Sequence, residues 1–200
     1  MAWTQAARPF RSKAGLMKTI RVTRATLLLL LSHVLSHGIQ CAPSSIPPEA
    51  ATSLAGEKVE LPRDLHGPLS FLIVGFSQKS ADQAKEWGKA IAGLGACQGQ
   101  RLTWFQLPVL AGAPGFMRPL IMRSMKSGLT RDLQRHFVPI TDHEEDWKLA
   151  AGYQASDPQK DDAYLLATEE KGQIVAKWHG SRQSSESVLQ EIFRRYCVTP

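Results

Sequence analysis

The chain has 200 residues, of which 43% are apolar, enough to bury the core of one ordinary domain. Its formal net charge of +6 arises in residues 1–38, which hold six of the 24 basic side chains and no Asp or Glu. The remainder has 18 basic and 18 acidic residues, so the composition gives no support to a nucleic-acid partner.

Residues 1–38 have the three parts of an export signal. Basic residues extend to Arg24, the apolar stretch ATLLLLLSHVL follows, and Ser36 and Gly38 provide small residues before a cleavage site. Because the apolar stretch is too short to span a bilayer comfortably, we predict a signal peptide that is cleaved after Gly38. The mature protein is then exported, to the periplasm or outside the cell.

Three further interpretations of this region stay open. The sequence after Met17 makes a compact signal by itself. If synthesis begins at Met17, residues 1–16 are not part of the protein. An Arg-rich leader without acidic residues is also compatible with a mitochondrial presequence, which would place the protein at the inner membrane or on its matrix side. Cys41, close to the predicted cleavage site, is a candidate for lipid attachment.

The first half of the mature chain contains a strand, a helix and a second strand. Residues 39–64 are rich in Pro, Ser and Ala without a sustained period, which predicts a linker or lead-in segment before a domain at 65–200. The nearly continuous apolar run LSFLIVGF, at 69–76, predicts a central strand covered on both faces. The next segment predicts a helix whose apolar face consists of Ala84, Trp87, Ile91 and Leu94. LTWFQLPVL, at 102–110, predicts a second strand, parallel to the first if a right-handed crossover joins them.

The second half begins with an insert at 111–135, in which Pro119 can begin a helix and Gly128 can end it. The stretch AYLLATEEKGQIVAKWHG, at 163–180, predicts a β-hairpin. The chain closes with a helix whose apolar stripe consists of Val188, Leu189, Ile192, Phe193 and Tyr196. The predicted order is therefore strand, helix, strand, helical insert, β-hairpin, helix.

Three stretches carry a resemblance to a known family: FS at 76–77 with Trp87 behind it, the basic segment RPLIMRSMKSGL, and the hairpin sequence AYLLATEEKGQIVAKWHG. From about Leu65 to Tyr196 the chain resembles the thioredoxin-like proteins related to the mitochondrial ATP synthase assembly factor, a chaperone for a membrane subunit of the Fo sector. The resemblance implies an α/β fold, a thioredoxin-like three-layer sandwich with a central mixed sheet flanked by helices. It also implies a non-catalytic protein that binds another protein or assists its assembly, for example into a membrane complex.

Ser77 and Ser80 stand where thioredoxin-like enzymes carry their Cys-x-x-Cys pair. Such enzymes need a low-pKa thiolate at the helix N-terminus and a second cysteine three residues on, and serine hydroxyls provide neither. Ser80 and Gln83 have the spacing of a capping box, so we predict that the Ser80 oxygen accepts a hydrogen bond from a first-turn amide. The usual cis-proline of the fold has no counterpart, since Asp161 and Asp162 precede the hairpin.

Cys97 and Cys197 leave two functional interpretations open. In a thioredoxin topology the first helix and the C-terminal helix lie on one face of the sheet and run in the same sense, so their ends should approach each other. In an oxidising compartment this predicts a structural disulfide closing a loop of about 100 residues, rather than two free thiols. The alternative is a thiol-dependent redox enzyme with a non-standard cysteine, although neither cysteine lies at a strand-to-helix start, where amide dipoles lower a thiol pKa.

The insert holds a candidate surface for a protein partner or for a membrane, formed by Arg118, Met122, Arg123, Met125 and Lys126. Methionines beside basic residues suit apolar helices or anionic lipid headgroups. The other interpretation is a helix whose Met and Leu residues fill the core while the arginines reach solvent. We expect neither a metal nor a cofactor, because the consecutive carboxylates of DHEED, at 142–146, point in different directions from a helix.

Overall fold

The computed structural model describes residues 45–181 and 186–197, without the side chains of Glu186 and Val188. The predicted leader, its cleavage site and Cys41 lie outside these residues. Over the described ranges, no helix is long and apolar enough to cross a membrane.

Six strands and five α-helices make up the described chain. The strands are β1 (Glu49–Thr52), β2 (Lys58–Leu61), β3 (Ser70–Gly75), β4 (Thr103–Pro108), β5 (Ala163–Thr168) and β6 (Ile174–His179). The helices are α1 (Ala81–Ala92), α2 (Arg118–Ser127), α3 (Arg131–His136), α4 (Glu144–Ala151) and α5 (Glu186–Cys197). Short 3-10 turns at Gln78–Ser80 and Gln159–Asp161 precede α1 and β5.

A four-stranded mixed sheet in the order β4-β3-β5-β6 forms the centre of the fold. β3 is parallel to β4 and antiparallel to β5, and β5 is antiparallel to β6. Residues 137–140 extend the sheet beyond β4, where the Val138 amide donates to the Gln106 carbonyl at 2.9 Å and the Ile140 amide donates to the Pro108 carbonyl at 2.9 Å. The predicted parallel pair and C-terminal hairpin are therefore both present.

Alternate side chains of β3 point into two separate cores, as expected for a strand covered on both faces. Phe71 and Ile73 pack with the apolar faces of α1 and α5. Leu72 and Val74 pack on the opposite face with α4 and with the β1–β2 hairpin. This arrangement confirms the predicted central mixed sheet between helical layers.

The interpretation of residues 39–64 as a linker or lead-in segment misses a β-hairpin. β1 and β2 pair in antiparallel, and Val59 and Leu61 are buried in the same core as Leu72. Each strand has four residues, so the alternation of exposed Lys58 with buried Val59 is too short to stand out as a period. The hairpin therefore belongs to the folded unit and covers one face of the sheet.

Gly172, in the turn between β5 and β6, is predicted to tolerate no side chain. Its φ is +75°, and an added Cβ would lie 2.7 Å from Pro62 Cβ and 2.9 Å from Ile46 Cγ1. Gly56 provides a matched control, because its φ is +90° with no atom within 4 Å of an added Cβ. Both alanine variants carry the left-handed backbone penalty of about 1 kcal/mol. We expect Gly172→Ala to lower the free energy of unfolding by about 1–3 kcal/mol more than Gly56→Ala, measured by urea denaturation; equal losses would contradict this packing.

Candidate functional site

The corner between β3 and α1 contains both serines that replace the dithiol. Ser77 precedes the 3-10 turn, and Ser80 ends it immediately before the first residue of α1. Ser80 is only 2% exposed. Ser77 is half-buried as a residue, but its Oγ is fully shielded from solvent.

The predicted capping role of Ser80 is wrong. Its backbone is already helical, with φ −69° and ψ −12°, and its side chain makes no capping hydrogen bond. Instead, the Ser80 hydroxyl donates to the Ser77 carbonyl at 2.8 Å. A capping residue needs an extended backbone to turn its oxygen toward the first-turn amides, and the 3-10 turn removes that conformation.

Gln83 bonds to the hairpin instead of completing a capping box. Its Oε1 accepts from the Ala163 amide at 2.7 Å, and its Nε2 donates to Asp162 Oδ1 at 3.3 Å. One turn later, Trp87 Nε1 donates to the Gly180 carbonyl at 2.9 Å. The start of α1 is thus hydrogen-bonded to both ends of the β5–β6 hairpin.

Asp161 forms an ion pair at this corner. It lies three residues after Pro158, whose peptide bond with Asp157 is cis. Lys79 Nζ lies 2.9 Å from Asp161 Oδ2. The pKa of Asp161 is lowered, first by the hydrogen bond from Lys79 and then by the Ser77 hydroxyl facing the carboxylate. The buried Ser77 Oγ nevertheless has no partner within ordinary hydrogen-bond geometry among the described residues, so we regard Lys79 as the partner that holds Asp161.

The Asp161 carboxyl provides a pH-dependent test of this corner. Because its folded pKa is lowered, the Lys79 pair stabilises the fold above the ordinary carboxyl value of 3.8 and is lost as the pH falls through the lowered pKa. We expect Lys79→Met to raise the pKa of Asp161 toward the ordinary value, and Ser77→Ala to raise it less. Carbon NMR of the carboxyl group measures both changes. Lys85→Met is the control, and an unchanged Asp161 pKa in Lys79→Met would contradict the assignment.

Beside the two serines, a groove of about 510 Å³ opens between the corner and the insert. We call it the corner groove. It is lined mainly by apolar atoms from the corner, from the segment after β4 and from α2. Its lining includes Phe76, Ser77, Ser80, Ala84, Val109, Leu110, Ala113, Ile121, Ser124, Met125 and Phe137.

The insert helix α2 forms one wall of the corner groove and buries none of its residues. The interpretation that its Met and Leu residues fill the core is therefore wrong: Leu120 is 64% exposed, and Met125 is only half-buried at the groove. Arg123 and Lys126 are exposed. Pro119 lies in the first turn of α2 and Gly128 ends the helix, as predicted.

Arg118, a predicted member of the partner surface, is hydrogen-bonded to the backbone instead. Its Nε donates to the Ala113 carbonyl at 3.0 Å, and its Nη2 donates to the Ala111 carbonyl at 2.8 Å. The guanidinium thus fixes the loop before α2 and the position of the groove wall. Of the other predicted surface residues, Met122 is half-buried.

Cys97 and Cys197 lie away from the corner, at the ends of the layer formed by α1 and α5. Their sulfurs are 1.98 Å apart and their Cα atoms 4.3 Å apart, and the two residues are 1% and 6% exposed. The Gln98 side chain reinforces this contact by donating to the Tyr196 carbonyl at 2.9 Å. Neither cysteine begins a helix, so neither sulfur has the position of a reactive thiol.

Serine catalysis requires a base hydrogen-bonded to the serine hydroxyl. In the part of the chain that the structure describes, no histidine hydrogen-bonds to Ser77 or Ser80. His179 instead bonds to Asp162 at 2.8 Å, and His136 bonds to the Trp104 carbonyl at 2.8 Å. No cluster of three His, Cys, Asp or Glu residues within the described ranges could hold a metal. The geometry favours binding an apolar group.

The sequence identified Ser77, Ser80, Met125 and the two cysteines as candidate site residues. It gave no sign of the corner groove or of the hydrogen bonds that Gln83 makes to the hairpin. Gln83 and Ala163 are 80 positions apart. The groove likewise joins the corner to the insert and to Phe137. No local pattern signals such contacts, because they depend on how the insert packs.

The strand order and the two cores, one on each face of the sheet, are those of a thioredoxin-like fold. The corner between β3 and α1 lacks the dithiol of thioredoxin-like enzymes. Solved structures similar to this chain include BsSco, a member of the Sco family of cytochrome c oxidase assembly proteins, at 11% identity and a TM-score of 0.50 over 78% of this chain and 95% of that one. A putative electron transport protein from Aquifex aeolicus VF5 has 16% identity and a TM-score of 0.50, over 76% and 94%. The exposed lipoprotein thioredoxin Etrx1 from Streptococcus pneumoniae has 11% identity and a TM-score of 0.46, over 72% and 99%.

The two likenesses with a TM-score of 0.50, together with the observed strand order, confirm the predicted thioredoxin-like α/β fold. No protein-family model matches the chain, and the comparison with curated proteins found no match. The comparisons therefore do not show the resemblance to the ATP synthase assembly factor.

Proposed function

We propose that this protein is a catalytically silent thioredoxin-fold protein that binds an apolar segment of another protein and assists its assembly. One observation carries the proposal: the place of the missing dithiol opens into an apolar groove of about 510 Å³. In thioredoxin-like enzymes this corner meets the substrate. Here the substrate-facing surface is retained while its two reactive positions are Ser77 and Ser80.

The corner groove has the properties of a binding site for an apolar side chain or a short helical segment. Its volume lies in the usual range for ligand pockets, roughly 300–1,000 Å³. Met125 on its wall has a flexible, polarizable side chain that adapts to differently shaped partners. Apolar anchors spaced along one face of a client helix would enter such a groove.

Assembly of a membrane complex is the most concrete form of this function. BsSco belongs to a family of oxidase assembly proteins, so the thioredoxin-like fold is compatible with such work, and the sequence resemblance adds the Fo sector of ATP synthase as a candidate client. We further propose that the predicted export signal directs the protein to the outer side of the membrane. There it would meet segments of membrane proteins before they are joined to their partners.

The alternative, a thiol-dependent redox enzyme, receives less support from the geometry. Cys97 and Cys197 lie at bonding distance from each other and are buried, whereas a catalytic thiolate must be accessible to its substrate. We expect no acceleration of insulin reduction by dithiothreitol and no peroxide consumption. Activity in either assay that is lost in Cys97→Ser would favour the alternative.

Site-specific photo-crosslinking in the native host tests the proposed site. A photoreactive amino acid at Met125, on the groove wall, is compared with the same group at Lys89, which is exposed on α1 and does not line the groove. We expect a discrete adduct with a membrane protein from position 125 and none from position 89. Mass spectrometry then identifies the client.

Two results would overturn the proposed function. The first is the absence of any adduct at position 125 while the protein is present at its normal level. The second is the same set of adducts at both positions, because this would indicate random collisions. A soluble client at position 125 would retain the groove as a binding site but refute membrane-complex assembly.

A further inference from the structure

The outer side of the insert exposes an unusual concentration of large apolar side chains. Among the described residues, five large apolar side chains are exposed, and four of them lie between positions 116 and 133: Phe116, Met117, Leu120 and Leu133. Phe116 is 83% exposed and Leu120 64% exposed. Contiguous apolar patches on a domain surface usually mark an interaction site.

Basic side chains accompany these apolar ones. Arg123 and Lys126 are exposed, one turn apart on α2, and form no ion pair within the described ranges. Residues 116–135 contain five basic residues and one acidic residue, whereas residues 39–200 as a whole have 18 of each. The positive charge of the mature chain is therefore concentrated at the insert.

The helical period separates this surface from the corner groove. Ile121 and Met125 are four residues apart and line the groove together. Leu120, Arg123 and Lys126 are outside its lining, and at 100° per residue Arg123 lies roughly opposite Ile121. The helix thus has a groove side and an outer side, and occupation of one leaves the other accessible.

We propose that the outer side of the insert docks on an anionic lipid bilayer. Phe116 and Leu120 enter the boundary between headgroups and acyl chains, and Arg123 and Lys126 meet the lipid phosphates. Apolar insertion together with basic side chains at the headgroup level is the arrangement by which peripheral helices bind anionic membranes. The corner groove then faces away from the lipid, in reach of a client segment emerging from it.

The first test measures how much Arg123 and Lys126 contribute to the binding of the protein to lipid vesicles. The protein is purified in the form that the cell accumulates, with the same N-terminus in every variant by intact mass. Co-sedimentation uses vesicles of phosphatidylcholine alone or with an equal amount of phosphatidylglycerol. We expect Arg123→Gln/Lys126→Gln to bind the anionic vesicles about 25-fold more weakly, since each basic residue near such a surface contributes about 1 kcal/mol. Lys85→Gln/Lys89→Gln, an exposed pair on α1 with the same change in charge, should bind nearly as wild type.

The apolar side chains provide the second test. Phe116→Ser/Leu120→Ser should weaken binding to the anionic vesicles by at least tenfold, whereas Leu149→Ser, at a residue 53% exposed on α4, should not. All these side chains are exposed, so unchanged thermal melting is expected to confirm folding. Equal binding by wild type and Arg123→Gln/Lys126→Gln, or an equal loss in the α1 pair, would overturn membrane docking. Crosslinking at Met125 to purified client fragments requires no lipid. Its loss would refute client binding without affecting membrane docking, and a loss of vesicle binding would refute membrane docking without affecting client binding.

Discussion

Replacing Cys97 and Cys197 together by serine is expected to lower the free energy of unfolding by about 4 kcal/mol, the largest of the losses that we predict. The two residues are 100 positions apart, and a bond between them restricts the unfolded chain far more than a short loop would. The bond also joins the ends of the layer in which α1 and α5 pack on the sheet. Losing it should release α5 first.

Urea denaturation with and without dithiothreitol measures this effect. The reductant should lower the stability of the wild type to that of the double serine variant, and it should leave the variant unchanged. Intact mass after alkylation provides the complementary result. Labelling of both Cys97 and Cys197 in the native, oxidised protein would show that the purified chain carries free thiols and would refute the disulfide.

Trp147→Phe is expected to cost about 3 kcal/mol, the second largest loss. Trp147 on α4 is fully buried, and its Nε1 donates to Glu49 Oε2 at 3.1 Å. The Glu49 side chain on β1 is only 6% exposed, and His143 Nδ1 lies 3.5 Å from the same oxygen. Removing the indole donor leaves a buried carboxylate short of one hydrogen bond and creates a cavity.

A double-mutant cycle separates these two costs. In a Glu49→Leu background the carboxylate is absent, so Trp147→Phe should cost only the cavity term of about 1 kcal/mol. The difference of about 2 kcal/mol is the coupling between β1 and α4. An identical cost in both backgrounds would show that the Glu49–Trp147 hydrogen bond does not hold the hairpin to the domain.

The sequence allowed the main elements to be predicted because their patterns are long or strong. LSFLIVGF is almost continuously apolar, and its residues 70–75 form the strand buried on both faces. The α1 face predicted from Ala84, Trp87 and Ile91 is also buried in the structure. The β1–β2 hairpin was missed because four-residue strands carry too little period. Glu49 is acidic, and its buried position depends on a hydrogen bond from Trp147, 98 positions away, so the local sequence does not signal a core strand.

The candidate site was only partly predictable for the same physical reason. The absence of cysteines at Ser77 and Ser80 is visible in the sequence, and it directs attention to the corner. The capping prediction for Ser80 failed because spacing alone does not reveal a 3-10 turn before a helix. Whether Met125 enters the core or borders a groove depends on how far the insert stands from the sheet, which no local pattern encodes.

Purification of the protein with its bound partner from membranes of the native host tests the central claim most directly. Ser124→Trp places an indole in the corner groove from an exposed position on its wall, and Lys89→Trp adds the same group outside the lining of the groove. We predict that Ser124→Trp loses the partner while Lys89→Trp and the wild type retain it at equal levels. Full retention of the partner by Ser124→Trp, with the protein folded, would show that the corner groove is not the binding site.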